Sequence, residues 1–454
     1  MITNEEFEIP DDSPFQNDKL NRELISENLE KIIVSASGSL VLSIDASWGN
    51  GKTTFIKMWR KKLDKTDRYR TLYFNAWEND DCGDPLLALI SGIEEVLNRE
   101  HEKPYIAKIK ETGKNLLKKA IPTLLKIATS GIVDITDTNL DDPAKSYIIE
   151  GAGKLGEFEL YKEQKISKDK FRKALAEYQE NENRKVIFFI DELDRCRPTF
   201  AIETLEKIKH LFNINDFIFV LALDKRQLSH SIKTLYGQGM DSVGYLRRFI
   251  DFEFVLPEPD RSTYTDFLLT KFELRNNNTQ YFELYLTVAI KAYDLSLRDI
   301  EKLFYYLKLI VPITPLFIRN IPENQDYTQI YLEVLGAIYA IFPVLKIKDN
   351  GVYRKFVNRE TIDNGDLMTM YFEDNDRLAK NGRSIVGNIL SINNMFKTTN
   401  MNIVSSNGFV IGNEGGYQDN RFNMLFLLDE TKTAFSFIKQ LEFIDNFVIP
   451  NREN

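Results

Sequence analysis

The sequence predicts an α/β fold built on a doubly wound parallel sheet, and three observations predict it. Val186-Ile187-Phe188-Phe189-Ile190 and the run from Phe217 to Leu223 are continuously apolar, as strands buried on both faces are. Helical patterns alternate with these runs, which is the order of βαβ units. The stretch Ala46-Ser47-Trp48-Gly49-Asn50-Gly51-Lys52-Thr53-Thr54 lies between the β-prone Leu40-Val41-Leu42 and a helical pattern of Phe55, Ile56, Met58 and Trp59. Strand, tight glycine loop and helix N-terminus is the setting of a phosphate-binding P-loop.

Each element follows from its own pattern. Residues 15–35 read as a leading amphipathic helix, with Leu20, Leu24, Leu29, Ile32 and Ile33 at roughly helical spacing. Thr71-Leu72-Tyr73-Phe74 reads as a second strand ending in Asn75-Ala76-Trp77. The segment from Pro85 to Leu97 is helical and buries Leu86, Leu89, Ile90, Ile93 and Leu97. Between Lys103 and Lys126 lysines outnumber the single acid, Glu111, and share the segment with an apolar stripe that includes Ile109, Leu116 and Leu124. Such a basic amphipathic helix packs on its own domain or, in the alternative, lies on a membrane surface or a partner. Pro122 is expected to kink it, and Gly151, Gly153 and Gly156 mark a loop. Residues 166–183 form a charged helix, and a helix from Thr204 to Phe212 joins the two buried strands. From about residue 262 the chain is helical through residue 345; the tail, 350–454, is rich in Asn and Phe and less periodic. The domain reading is a core of residues 1–100 and 166–260, a basic helical insertion at 101–165, a helical region at 261–345 and a C-terminal region at 346–454 of unassigned role.

Composition bounds the function. The 454 residues, 43% hydrophobic and 28% charged, describe a soluble globular protein of two or three domains. A net charge of −9 repels nucleic acid and anionic membrane, so either contact needs a local basic patch; nucleic acid is not indicated. Cys82 and Cys196 give no disulfide framework and suit a reducing cytoplasm. His101, His210 and His230 lack the spacing of a zinc site. The segment from Met1 to Asp12 is acidic rather than signal-like, and no apolar run of about 18 residues occurs. A cytoplasmic protein, at most peripheral to a membrane, is expected.

The chemistry is that of a nucleotide. Backbone N–H groups from Gly49 through Asn50, Gly51, Lys52 and Thr53 to Thr54 can converge on phosphates, helped by the helix dipole. Lys52 would reach the β- and γ-phosphates and the Thr53 hydroxyl would ligate Mg²⁺. The loop pattern asks for glycine where this chain has Ala46, which is tolerated if φ stays negative. Asp191, at the end of a buried strand, fits a Mg²⁺-holding carboxylate, and Glu192 fits the base that orients the attacking water. The plainer alternative is that this pair ends a strand and caps a helix. Asp224 reads equally as a γ-phosphate sensor and as a helix cap. Arg195, Arg247, Arg248 and Arg298 are candidates for an arginine finger, each also readable as a surface ion-pair partner. Trp48 belongs to the loop; its ring and that of Trp77 read as packing groups rather than ligand contacts.

These residues carry a family resemblance. Trp48-Gly49-Asn50-Gly51-Lys52-Thr53, Phe74-Asn75-Ala76-Trp77 and Asp191-Glu192-Leu193-Asp194-Arg195 together resemble the KAP family of P-loop NTPases. Asp12-Ser13-Pro14-Phe15, with Asp18, Leu20 and Arg22, is similar to that family's lead-in. The run from Phe217 to Asp224 resembles its sensor strand, the segment from Tyr245-Leu246-Arg247-Arg248-Phe249 to Leu256-Pro257 its strand-approaching segment, and Arg298 its helical-lid arginine. The resemblance spans about residues 10–305 and implies a P-loop NTPase core with a C-terminal helical lid, binding ATP and Mg²⁺. It implies an ATPase of the signal-transduction branch, in which nucleotide drives switching, self-assembly or docking of a protein partner. Bacterial relatives are associated with phage exclusion. Members often carry Asp-Asp where this chain has Asp191-Glu192, and many insert paired transmembrane helices where this chain has a basic amphipathic segment. The alternative function is a nucleotide-stabilised interaction module with little turnover, docking through the basic helix; transfer to a small acceptor is a weaker third.

Overall fold

Five short runs become the strands β1 (Leu40–Asp45), β2 (Tyr69–Asn75), β3 (Lys185–Asp191), β4 (Phe217–Leu223) and β5 (Phe252–Val255). They belong to a computed structural model that describes residues 8–96, 102–129, 157–182, 184–310 and 325–357. The strands form one sheet in the order β2-β3-β4-β1-β5, and every neighbouring pair is parallel. Side chains in a strand alternate between faces, and both faces here are apolar. Val186, Phe188 and Ile190 of β3 join one core cluster, whereas Ile187 and Phe189 join another. In β4, Phe217, Phe219 and Leu221 face the first cluster and Ile218, Val220 and Ala222 the second. This is the continuous apolar run of a sheet covered on both sides.

The second cluster is closed by α1 (Glu23–Ser35) and α2 (Lys52–Asp64), through Leu29, Ile33, Phe55, Ile56 and Trp59. The first cluster is closed by α3 (Pro85–Val96), α4 (Lys103–Thr129), α5 (Glu157–Glu182), α6 (Pro198–Leu211), α7 (Lys225–Tyr236) and α8 (Ser242–Leu246). Phe188 stacks on Phe219 at 4.7 Å between centroids and meets Phe217 and Phe212.

Several boundaries differ from the sequence reading. The leading helix begins at Glu23 rather than near residue 15, because the Asp18 carboxylate accepts the N–H groups of Leu20 (2.9 Å) and Arg22 (2.5 Å) and holds that stretch as a turn. Its buried side chains are Ser26, Leu29 and Ile33, and Leu24 is exposed. The charged helix starts earlier than expected, at Glu157, and the one leading to β4 starts at Pro198, whose fixed φ suits a first helical turn. Leu97, His101, the three glycines at 151, 153 and 156, and the tail beyond Val357 lie outside the described residues.

The basic helix α4 runs unbroken from Lys103 to Thr129, through Pro122. Ile106, Ile109 and Leu116 are buried in the first cluster. Lys108 pairs with Glu177, and Lys110 with Glu94 at 2.5 Å. So far as its side chains are described, its apolar stripe packs on its own unit. Among the described residues no helix is long and apolar enough to cross a membrane.

The chain divides into two compact units, Met1–Glu258 and Pro259–Asn454. The second is helical where described: α9 (Arg261–Lys271), α10 (Gln280–Ala292), α11 (Leu297–Ile310), α12 (Gln325–Lys348) and α13 (Asn350–Val357). Phe282, Leu286, Phe304, Leu307 and Tyr339 centre its core. At Gly336 a Cβ would fall 2.6 Å from the Phe282 backbone nitrogen, so glycine permits the close crossing of α12 over α10.

Phe188→Ala is expected to cost about 3–5 kcal/mol, because it empties the aromatic stack on the sheet. Leu87→Ala, at an exposed helical position, is expected to stay within about 0.5 kcal/mol. Denaturant midpoints of the two variants check the contrast.

Candidate functional site

All five strands point the same way, so their polar ends collect at one edge of the sheet. Register places Asp45 beside Leu223, Asp191 beside Ala222, and Asn75 beside Asp191. In open α/β sheets this carboxyl edge is where ligands bind. The loop from Ala46 leaves β1 there and enters α2 at Lys52. Gly49 and Gly51 have φ of 80° and 77°, a region costly for residues with a Cβ. Ala46 has no positive φ, so alanine is compatible with its turn.

Lys52 is buried, and its ammonium donates to the carbonyl oxygens of Ala46 (2.5 Å) and Ser47 (3.3 Å). Burial lowers its pKa, while Asp194, Asp224, Asp191 and Asp45 pull it back up. The Asp191 carboxylate accepts the Tyr73 hydroxyl at 3.0 Å and the Glu192 N–H at 2.9 Å, and the neighbouring Thr53 hydroxyl helps to hold its pKa down. Asp191 is 1% exposed, and burial pushes its pKa up against these bonds. Four carboxylates thus act on one buried ammonium. A threonine hydroxyl paired with a buried carboxylate beside a helix N-terminus is a donor set that fits Mg²⁺ and phosphate.

Glu192 has a left-handed backbone, φ 59° and ψ 25°, before a single 3-10 turn, Leu193–Arg195. For a residue with a Cβ that conformation costs about 1–2 kcal/mol. Strain of this kind collects at functional sites. Its carboxylate meets Arg195 Nη1 at 3.1 Å and Asn75 Nδ2 at 3.5 Å, and the Arg195 guanidinium lies over the Trp77 ring at 5.7 Å. Trp77 packs on the core as expected. Trp48 does not: it is 46% exposed, and its indole N–H donates to Asp194. Burial raises the Asp194 pKa, and Trp48 and Lys52 pull it back down.

Asn50 is buried and reaches Glu258 through Nδ2 at 3.2 Å, whereas Thr54 is partly exposed on the first turn of α2. Asp224 caps α7, its Oδ1 accepting the N–H groups of Arg226 (3.0 Å) and Gln227 (3.1 Å). Arg247 and Arg248 are exposed and precede β5, at the amino-terminal edge of the sheet. A strand rises about 3.3 Å per residue, so the length of β5 separates them from the carboxyl edge of their own chain. Arg298 is exposed on the first turn of α11 in the second unit.

Four residues make contacts at the site that no sequence pattern announces. Tyr73 is an alternate residue of β2 and gives no signal of contact with Asp191. Asn75 and Asp194 lie inside recognisable motifs, yet their partners are distant in sequence. Arg22, 3% exposed, donates to Asn50 O at 2.8 Å and Gly51 O at 3.0 Å.

The Asp224 geometry yields a test. Asp224→Ala is expected to lose about 1 kcal/mol of stability through the missing cap, whereas Asp224→Asn, an equally good cap, should lose little. Thermal melts of both variants compare cap with charge.

The KAP family P-loop domain matches residues 22–314. A curated relative, the Phage T7 exclusion protein of Escherichia coli (strain K12), is 24% identical over 274 residues, covering 57% of this chain and 34% of that protein. The chain thus spans about a third of the length of that relative. Among solved structures, the Aeropyrum pernix ORC2 protein is similar in its ADPNP-ADP complexes at a TM-score of 0.34 and 14% identity, covering 70% of this chain and 67% of that one. Its ADP form gives the same TM-score and identity over 74% and 73%. With the phosphate-binding loop at the carboxyl edge of a five-stranded parallel sheet and the domain match covering more than half of its length, the chain belongs to the KAP family of P-loop NTPases.

Proposed function

We propose that this P-loop NTPase binds ATP with Mg²⁺ and hydrolyses it as a nucleotide-driven switch. The observation that carries the reading is the placement of Thr53, on the first turn of α2, beside the buried Asp191 carboxylate that ends β3, with Lys52 and Glu192 next to them in sequence. N–H groups from Gly49 to Thr54 hold the phosphate chain, and Lys52 leaves the Ala46 and Ser47 carbonyls for the β- and γ-phosphates. Thr53 and Asp191 would hold the Mg²⁺. When bound, that ion neutralises charge on the phosphate oxygens. Glu192 orients the attacking water and accepts its proton. Before it does so, its carboxylate must leave Arg195 and Asn75. Asp224 is assigned as the sensor of the phosphate end, and residues 261–345, with Arg298, as the lid region.

The tether on Glu192 also favours a second reading, in which nucleotide stabilises an interaction surface with little turnover. ATP turnover separates the two. Lys52→Ala is expected to abolish binding and turnover, and Glu192→Gln to keep binding while losing about 10²–10⁴-fold in rate. Equal background rates in all three proteins, together with ATP-dependent thermal stabilisation of the wild type, would leave only the interaction module.

A role in phage defence is supported by the name of the curated relative. Phage plating on cells carrying the wild-type chain is expected to fall below plating on cells carrying Lys52→Ala. Equal plating for every phage tried removes this role without touching the nucleotide chemistry.

A further inference from the structure

One buried side chain takes both carbonyl oxygens at the tip of the phosphate-binding loop. Arg22 donates from Nη2 to Asn50 O at 2.8 Å and from Nη1 to Gly51 O at 3.0 Å. It is 3% exposed, and burial pulls its pKa down to about 10 against the attraction of Asp18 and Glu258. Burying a cation is costly unless it is well hydrogen-bonded. Its backbone is fixed as well, since Arg22 N donates to Asp18 Oδ2 at 2.5 Å.

The consequence comes from peptide geometry. In a trans peptide the C=O and N–H point in opposite directions. Holding Asn50 O on the guanidinium therefore turns the Gly51 N–H to the opposite face of the loop, and Gly51 O, shared between Arg22 and the Phe55 N–H at 3.1 Å, turns the Lys52 N–H the same way. Gly51, at φ 77° and ψ 27°, is the residue whose missing Cβ permits that orientation. Lys52 Nζ is held separately, by Ala46 O and Ser47 O.

We infer that Arg22 is a positioning residue for the nucleotide's phosphate chain, aiming the Gly51 and Lys52 N–H groups at it from behind the loop. The inference rests on the nucleotide-binding reading above. It also predicts an effect independent of Mg²⁺, because Arg22 acts on the loop backbone rather than on Thr53 or Asp191.

The test uses the full chain with Arg22→Gln and with Arg22→Lys, which keeps the charge but not the two-pronged donor. ATP and ADP are titrated calorimetrically with Mg²⁺ and with EDTA, and melting is recorded without nucleotide. Arg22→Gln is expected to weaken both ligands by about tenfold or more, by a similar factor in either buffer, with Arg22→Lys between it and the wild type. Wild-type affinity in a folded Arg22→Gln protein, even one with a lowered melting temperature, overturns the proposal and leaves Arg22 a structural residue. A loss seen only with Mg²⁺ overturns it too. If Arg22→Gln does not fold, Arg22→Lys decides, and unchanged affinity there overturns the proposal. A wild type that binds no ATP, or one that Lys52→Ala matches, removes the nucleotide reading itself.

Discussion

The parallel pairing of β3, β4 and β1 is the constraint on which the site depends. Its register brings Asp191 level with Ala222, and Asp45 level with Leu223, just ahead of Asp224. Parallel strands cannot be joined by tight turns, so helices must return the chain across both faces. The faces of β3 and β4 are therefore apolar along their length, and the charged groups of the site lie at the strand ends. The same packing that stabilises the sheet thus gathers Asp45, Asn75, Asp191, Glu192 and Asp224 at one edge.

Burial gives these groups their character. Asp191 and Asp194 are held in an environment that resists their ionisation, and each is compensated by specific donors: the Tyr73 hydroxyl and the Glu192 N–H for one, the Trp48 indole N–H for the other. Lys52 experiences the same desolvation among the carboxylates. A site of this kind is set by aimed hydrogen bonds rather than by surface ion pairs, which contribute little. The left-handed Glu192 fits the same pattern, because its strained backbone persists where surrounding contacts define it. Arg195 N bonds Glu192 O at 3.1 Å, and the buried Cys196 thiol reaches the same oxygen at 3.6 Å.

The segment after α3 shows how a basic amphipathic helix is matched by its own unit. Here α4 turns Ile106, Ile109 and Leu116 onto the unit's own core and answers Lys108 and Lys110 with Glu177 and Glu94. Gly113 lies where a Cβ would meet Ile90. The close approach of α4 to α3 thus has a residue suited to it.

The fold class, the central strands and the phosphate-binding loop are legible in the chain alone, because each is encoded by residues close together. Periodicity reports burial on one or two faces, and Gly49, Gly51, Lys52 and Thr53 form a local pattern with a local cause. β4 is legible to the residue, since Phe217–Leu223 is apolar from end to end. β5 is harder to read: it is an edge strand of four residues, and Phe252, Glu253 and Val255 are exposed. Which polar groups meet is set by the folded arrangement. Tyr73 reaches Asp191, Trp48 reaches Asp194, and Arg22 reaches the loop across 28 and 29 residues. Such contacts join segments whose separation is set by the sheet order β2-β3-β4-β1-β5. Neither hydropathy nor spacing encodes that order, because a buried hydrogen bond depends on where two surfaces close on each other.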